Sequence, residues 1–191
     1  MKKTLSDMGS RCFIGMLFCL VSHIALALPL NQTLPNVSVQ DKGEILLKPN
    51  SDDVTYQPWN THQLTGKIRV VQHMAGRISA KTINQPLIDA IKAAKLDAEK
   101  YQTTNIINLD DALIGTGPFV THEVISNKHK FPWASFVLDH RGTVRHAWHL
   151  SEKNSAIILL DRQGKVLFFK EGALTPKEVE STMALIRSQL N

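Results

Sequence analysis

The stretch Lys67-Ile68-Arg69-Val70-Val71-Gln72-His73-Met74 follows the turn residue Gly66 and is rich in β-branched residues. This composition predicts a β-strand. We expect the strand to lie at the centre of a sheet, with the small residues Ala75 and Gly76 leading out of it. The remaining elements are placed by working outward from this strand in both directions along the chain.

A helix is predicted directly after the central strand. Ser79 is positioned to cap its start, and an apolar face at helical spacing is formed by Ile83, Leu87, Ile88 and Ile91. Pro86 lies inside this helix, where it lacks an amide proton and its ring clashes with the preceding turn. Because the apolar pattern continues to Ile91, we expect a kink at Pro86 rather than a stop.

The rest of the chain alternates between strand and helix patterns. It predicts an amino-terminal hairpin with its turn at residues 41–43, a buried strand over 103–109, a helix over 118–130, and a final helix with a capping box at Thr175 and Glu178. Residues 136–144 and 158–166 are similar stretches, and each runs from a strand into an Asp-x-x-Gly turn. This order predicts an α/β fold with a mixed sheet covered by helices on both faces.

The amino terminus has the features of a cleavable secretory signal. Lys2, Lys3 and Arg11 precede an apolar run over residues 13–25, and Ala25-Leu26-Ala27 is a small-x-small cleavage signature. We therefore predict a signal peptide over residues 1–27, cleavage between Ala27 and Leu28, a single domain over residues 28–191, and a location in a bacterial periplasm. The apolar run is too short to span a bilayer, so we expect no membrane attachment after cleavage.

Both cysteines of the chain, Cys12 and Cys19, precede the predicted cleavage site. The mature protein is therefore expected to contain no thiol, which excludes thiol-disulfide exchange and cysteine peroxidase chemistry. The net charge of +5 includes the basic residues of the leader, and the other basic residues are interspersed with acids. This pattern argues against a nucleic-acid partner.

Several motifs carry a resemblance to known families. The run Leu64-Thr65-Gly66-Lys67 with its following strand resembles the opening of periplasmic thioredoxin-like and peroxiredoxin-like proteins. More specifically, the mature chain resembles the YtfJ family of secreted gammaproteobacterial proteins. The motifs that carry this resemblance are Gln72-His73-Met74-Ala75-Gly76-Arg77, Tyr101-Gln102-Thr103-Thr104, Asn108-Leu109-Asp110-Asp111-Ala112, Pro132-Trp133 and Glu171-Gly172-Ala173-Leu174-Thr175-Pro176.

The resemblance implies a thioredoxin-like fold, extended by the amino-terminal hairpin and lacking the redox signature. The two redox cysteines of the superfamily correspond to Ile78 and Lys81 in this chain, and Asn154 stands where the superfamily has a cis-proline. The resemblance also implies that residues 131–150 form the strand and short helix inserted in the peroxiredoxin branch. No cofactor is implied.

Two groups of polar residues are candidates for a functional site. His73, Arg77, Ser79 and Lys81 cluster around the end of the central strand, where a helix start and two cations could bind a carboxylate or phosphate. A simple cap at Ser79 with solvated basic residues would explain the same pattern, and a Ser79–His73 nucleophile and base pair is a further alternative that lacks an orienting third group.

The second group consists of His140, His146 and His149. If residues 143–150 are helical, His146 and His149 share a face at a spacing that suits zinc or copper, although no recognised zinc motif is present. Asp110 and Asp111 are interpreted as turn residues, because adjacent strand residues point to opposite faces.

The leading hypothesis is a non-enzymatic binding module that holds a peptide, a partner protein or a small anion against Arg77, Lys81 and Trp133. The alternatives are an enzyme that uses His73 or Ser79, and a metal-binding protein that uses His140, His146 and His149.

Overall fold

The computed structural model describes residues 28–191; the predicted signal peptide and its two cysteines lie outside this range. A seven-stranded sheet forms the centre of the domain, with the strand order β2-β1-β5-β4-β3-β6-β7. The strands are β1 (Ser38–Leu47), β2 (Val54–Asn60), β3 (Ile68–Ala75), β4 (Tyr101–Asn108), β5 (Ser135–Asp139), β6 (Ser155–Leu160) and β7 (Val166–Glu171). In the part of the chain described here, no helix combines the length and the apolar character needed to cross a bilayer.

β3 lies inside the sheet, as its sequence predicts. It pairs in parallel with β4 on one side and antiparallel with β6 on the other, and all eight of its residues are buried. Burial on both faces explains why apolar residues point both ways from this strand, with Ile68, Val70 and Met74 on one face and Val71 on the other. β4 also pairs in parallel with β5, so three neighbouring strands end at the same edge of the sheet.

The helices divide between the two faces of the sheet. The helices are α1 (Ile78–Thr82), α2 (Gln85–Ala94), α3 (Gly117–Lys130), α4 (Thr143–Ala147) and α5 (Pro176–Leu190), with a 3-10 helix at Thr61–Leu64. On one face, α2 and α5 pack over β3 and β6, while α3 packs over β4 and β5. On the other face, α4 and the segment before β1 cover Val71, Ile106 and Val137.

The amino-terminal hairpin is present, but its predicted turn at residues 41–43 is wrong. Residues 41–43 lie within β1, in a bulge where the register with β2 shifts, and the chain reverses over residues 48–53. Gly43 has a φ of +74°, and a Cβ placed there would lie 2.1 Å from the carbonyl oxygen of Gln57. A glycine at a strand bulge and a glycine in a turn have the same local signature, because both use a positive φ.

The predicted single helix with a kink at Pro86 is two helices. α1 ends at Thr82, and α2 restarts with Pro86 in its first turn, a position where proline needs no hydrogen-bond donor. Asn84 sits at the break and is 1% exposed. Its side chain donates to the carbonyl of Gly172 over 3.1 Å and accepts from the amide of Leu174 over 3.0 Å. This side chain therefore ties the break to the loop that enters α5.

The predicted helix cap at Ser79 is also wrong. Ser79 lies within α1, and Arg77 occupies the capping position without a side-chain cap. In contrast, both Asp-x-x-Gly turns form, and the capping box at Thr175 and Glu178 begins α5 as predicted. The carboxylate of Asp139 accepts from the amides of Arg141, Thr143 and Val144, so this turn leads into α4.

Candidate functional site

An elongated groove of about 650 Å³ runs across the face of the sheet that α2 and α3 cover. α2 forms one wall, α3 forms the other, and side chains of β3, β4 and β5 form the floor. The floor follows β4 from Tyr101 to Ile107, which at about 3.3 Å per residue gives a length of about 20 Å. The walls are largely apolar, with Ile88 and Ile91 on one side and Val120 and Val124 on the other.

The middle of the floor is polar. Gln72 on β3 is directly paired with Asn105 on β4, and both side chains line the groove. Gln72 is 3% exposed, and its side chain reaches the groove from the middle of β3. Next to this pair, the hydroxyls of Tyr101 and Thr103 are hydrogen-bonded over 3.0 Å. Burial raises the pKa of Tyr101, so its hydroxyl stays protonated.

The first end of the groove lies at the positions that the resemblance assigns to redox cysteines. Ile78 is 78% exposed there, and Lys81 forms an ion pair with Glu123 on α3, which links the two sides of the groove mouth. Arg77 lines the same end, but its Nε donates to the backbone carbonyl of Asp111 over 2.9 Å. Both cations that the sequence suggests for anion binding are therefore engaged with groups of the chain itself.

The second end is aromatic and basic. Trp133 is 60% exposed and packs edge to face on Phe131, with 5.9 Å between the ring centroids. Lys92 reaches across from α2 and places its Nζ 4.9 Å from the centroid of the Phe131 ring, a cation–π contact. Lys95 lies on the same rim. Arg77, Lys81 and Trp133 thus line one groove, as the leading hypothesis requires, but at opposite ends of it.

His73 and Ser79 do not form a pair. Ser79 is exposed on α1, whereas His73 is 2% exposed and points to the face of the sheet opposite the groove, alongside Val71. Burial lowers the pKa of His73 to about 4, with Asp111 opposing and Arg145 reinforcing the shift. The imidazole is therefore neutral near pH 7, but it has no access to a solvent-borne substrate.

Asp111 is buried in a polar cluster near His73. Its carboxylate accepts from Asn108 Nδ2 over 2.9 Å and from the amide of Lys153 over 3.0 Å, and it lies 3.9 Å from Arg145 Nε. These contacts fix the loop after β4 to the loop before β6. Asp110 is half exposed, and its carboxylate lies 3.9 Å from Arg145 Nη2, so both carboxylates contact the same guanidinium. Asp111 is tied into the loops by its hydrogen bonds, whereas Asp110 faces solvent.

The three candidate metal ligands are exposed and lie around α4. The Nδ1 of His146 is 2.7 Å from the Gly142 carbonyl, and its Nε2 is 2.8 Å from Arg145. Because Nδ1 donates to the carbonyl, the Nε2 lone pair accepts from the guanidinium and is not free for a metal. α4 ends before His149, whose φ of 53° is left-handed. No three metal-ligating side chains converge within residues 28–191.

Gln72 and Asn105 are the groove residues that the sequence analysis missed. Val70 and Met74 share the face of β3 that carries Gln72, and Thr103 and Ile107 share the face of β4 that carries Asn105. A polar residue at the inward position of a buried strand requires a partner or a cavity. That requirement is the signal by which the sequence could have indicated this site.

Comparison with known proteins places the chain in context. Residues 28–189 match the model of a family described as bacterial protein of unknown function (YtfJ_HI0045). The chain is 47% identical over 159 residues to the uncharacterized protein YtfJ of Escherichia coli strain K12, covering 83% of this chain and 85% of that protein. The same identity and coverage hold for an uncharacterized protein of Haemophilus influenzae.

Solved structures confirm the fold class. The thioredoxin domain of a thiol-disulfide oxidoreductase from Bacteroides vulgatus matches with a TM-score of 0.55 at 15% identity, covering 86% of this chain and 100% of that one. A thiol-disulfide isomerase from Corynebacterium glutamicum matches with a TM-score of 0.54 at 17% identity, covering 85% and 96% of the two chains. At these identities the likeness shows a thioredoxin-like fold and nothing about activity.

Proposed function

We propose that this chain, which belongs to the YtfJ family, is a periplasmic binding protein that holds an elongated ligand in the groove between α2 and α3 without reacting with it. The groove itself carries this proposal. Its volume of about 650 Å³ lies in the range of ligand-binding cavities, and it combines apolar walls with a few converging polar groups. Thiol chemistry is excluded for residues 28–191, because that segment contains no cysteine.

The features of the two ends support a ligand that spans the groove. At the first end of the groove, Lys81 forms an ion pair with Glu123, whereas at the second end the ring of Trp133 is exposed. An exposed tryptophan beside a groove is an effective contact, because it buries a large area and loses little conformational freedom. We therefore expect Trp133 to become covered when the ligand binds.

Trp133 also provides the assay. Trp59 and Trp148 are each 1% exposed, so a soluble quencher such as acrylamide reaches Trp133 selectively. Small molecules and peptides from a periplasmic extract should protect this fluorescence, and native mass spectrometry should show the bound species.

Two variants of α2 sharpen this test. Ile88→Asp adds a charge to the groove wall and should abolish protection, whereas Ala93→Asp adds the same charge on the exposed side of α2 and should not. Both variants must first show unchanged circular dichroism. If no extract fraction protects Trp133 in the wild type, or if both variants behave alike, the groove is not the binding site.

The periplasmic location is supported by the leader features and has its own test. A mature protein that begins at Leu28, recovered by osmotic shock, is the expected result of amino-terminal sequencing. Full-length protein beginning with Met1 in the cytoplasmic fraction would contradict it.

A further inference from the structure

We infer that the groove binds an extended, apolar peptide of about six residues whose free carboxylate lies beside Lys92 and Lys95. This inference rests on the proposed function, and it names the chemistry of the ligand. The floor is about 20 Å long at about 3.3 Å per residue, so it accommodates a short strand-like peptide. The apolar walls formed by α2 and α3 suit alternating aliphatic side chains.

The polar floor favours a peptide over an alkyl chain. Gln72 and Asn105 lie side by side under the middle of the groove, and each amide has both donors and an acceptor. Asn105 donates one long hydrogen bond, 3.4 Å to the carbonyl of Ser135, which leaves its amide oxygen and second N–H available to a ligand. A hydrocarbon chain lying here would strip water from these amides without replacing its hydrogen bonds, which is unfavourable. A peptide backbone carries matching donors and acceptors.

The charges at the groove rim set the direction of the peptide. Glu123 is the one carboxylate among the groove residues described, and it is paired with Lys81 at the first end. Lys92 and Lys95 at the second end form no ion pair with any carboxylate of residues 28–191. This end therefore carries, next to the ring of Trp133, two ammonium groups without an ion-pair partner in the described chain, and that of Lys92 lies over the ring of Phe131. A carboxyl terminus is the group of a peptide that matches it.

Three probes separate a peptide from other occupants. They are acetyl-Ala-Val-Ala-Val-Leu with a free carboxylate, the same peptide with a carboxamide end, and dodecanoate. Protection of Trp133 from acrylamide and titration calorimetry give the affinities. We expect the peptide acid to bind about tenfold more tightly than its amide, since the amide lacks one charge-assisted contact, and dodecanoate to bind more weakly than the acid.

Variants assign each difference to a contact. Gln72→Leu should weaken binding of the peptide acid about tenfold and strengthen binding of dodecanoate, because the floor becomes apolar. The double variant Lys92→Gln, Lys95→Gln should remove the difference between peptide acid and amide. Lys165→Gln, a matched change in the exposed β6–β7 turn, should leave all three affinities unchanged.

Three results would overturn the inference. If dodecanoate bound the wild type as tightly as the peptide acid does, the groove would be specific for amphiphiles rather than for peptides. An unchanged affinity of Gln72→Leu for the peptide would show that the polar floor does not contribute to recognition. Absence of binding by both peptides would exclude this ligand class. In each case the proposed function stands or fails separately, on whether periplasmic material protects Trp133.

Discussion

Lowering the pH should destabilise this protein through His73. The side chain is 2% exposed, its Nε2 has no hydrogen-bond partner in the described chain, and burial lowers its pKa from 6.5 to about 4. The unfolded chain therefore binds a proton near pH 6.5, whereas the folded chain resists it down to about pH 4. This contribution to stability is complete above pH 6.5 and is lost as the pH falls from 6.5 towards 4.

The size of the effect follows from the pKa shift. Each unit corresponds to about 1.4 kcal/mol, so the free energy of unfolding should fall by about 3 kcal/mol between pH 7 and pH 4 from this residue alone. His73→Gln replaces the imidazole with an amide that does not titrate. The other titratable groups are present in both proteins, so the difference between the two curves isolates His73.

Urea unfolding at half-unit pH steps measures this difference. The wild type and His73→Gln should converge or cross as the pH falls, with the wild type losing about 3 kcal/mol more than the variant. Parallel curves between pH 7 and pH 4 would refute the reasoning, because they would mean that His73 is as easily protonated in the folded protein as in the unfolded chain.

Three further substitutions test the fold. Gly43→Ala should lower the free energy of unfolding by about 3 kcal/mol or more, because its φ is +74° and the new Cβ would meet the Gln57 carbonyl. Urea unfolding measures this loss. Gly66→Ala is the control that isolates the steric part of the loss, since Gly66 has a φ of +88° but open space around it. Asn84→Ala should cost about 2–4 kcal/mol, since the Leu174 amide and Gly172 carbonyl lose their partner; an unchanged melting temperature would show that water replaces the amide. Thr175→Ala should lower the free energy of unfolding by about 1 kcal/mol, because it removes the cap of α5. Thr175→Ser keeps the hydroxyl and should retain most of this stability. Equal stabilities of the two variants would contradict a capping role.

The order of the elements could be predicted from the sequence because it depends on local patterns. The β-branched residues Ile68, Val70 and Val71 of β3 and the capping box of α5 each favour their own local conformation. The predictions of a turn at residues 41–43 and of a kink at Pro86 are wrong because these two features depend on contacts that are distant in sequence. Gly43 supports either a turn or a bulge, and only the pairing of β1 with β2 and β5 selects the bulge. Likewise, only the distant partners of Asn84 show that the helix breaks at this residue.

The site was predictable in part. Arg77, Lys81 and Trp133 were expected to act together, and all three line the groove. Their separation to opposite ends depends on the lengths of β4 and α3, and no local pattern encodes it. The engagement of Arg77 by a backbone carbonyl and of Lys81 by Glu123 depends on contacts more than thirty residues apart in sequence.

The groove exists because two parts of the hydrophobic core do not merge. α2 and α5 pack with Ile157 and Leu159 in one cluster, while α3 packs with Phe136 and Leu138 in another. Gln72 and Asn105 lie between these clusters, where apolar side chains could otherwise join α2 to α3 across β4. Polar floor residues cannot be covered by a neighbouring helix without losing hydrogen bonds. A ligand that forms hydrogen bonds can cover these two amides without loss, whereas an apolar helix face could not.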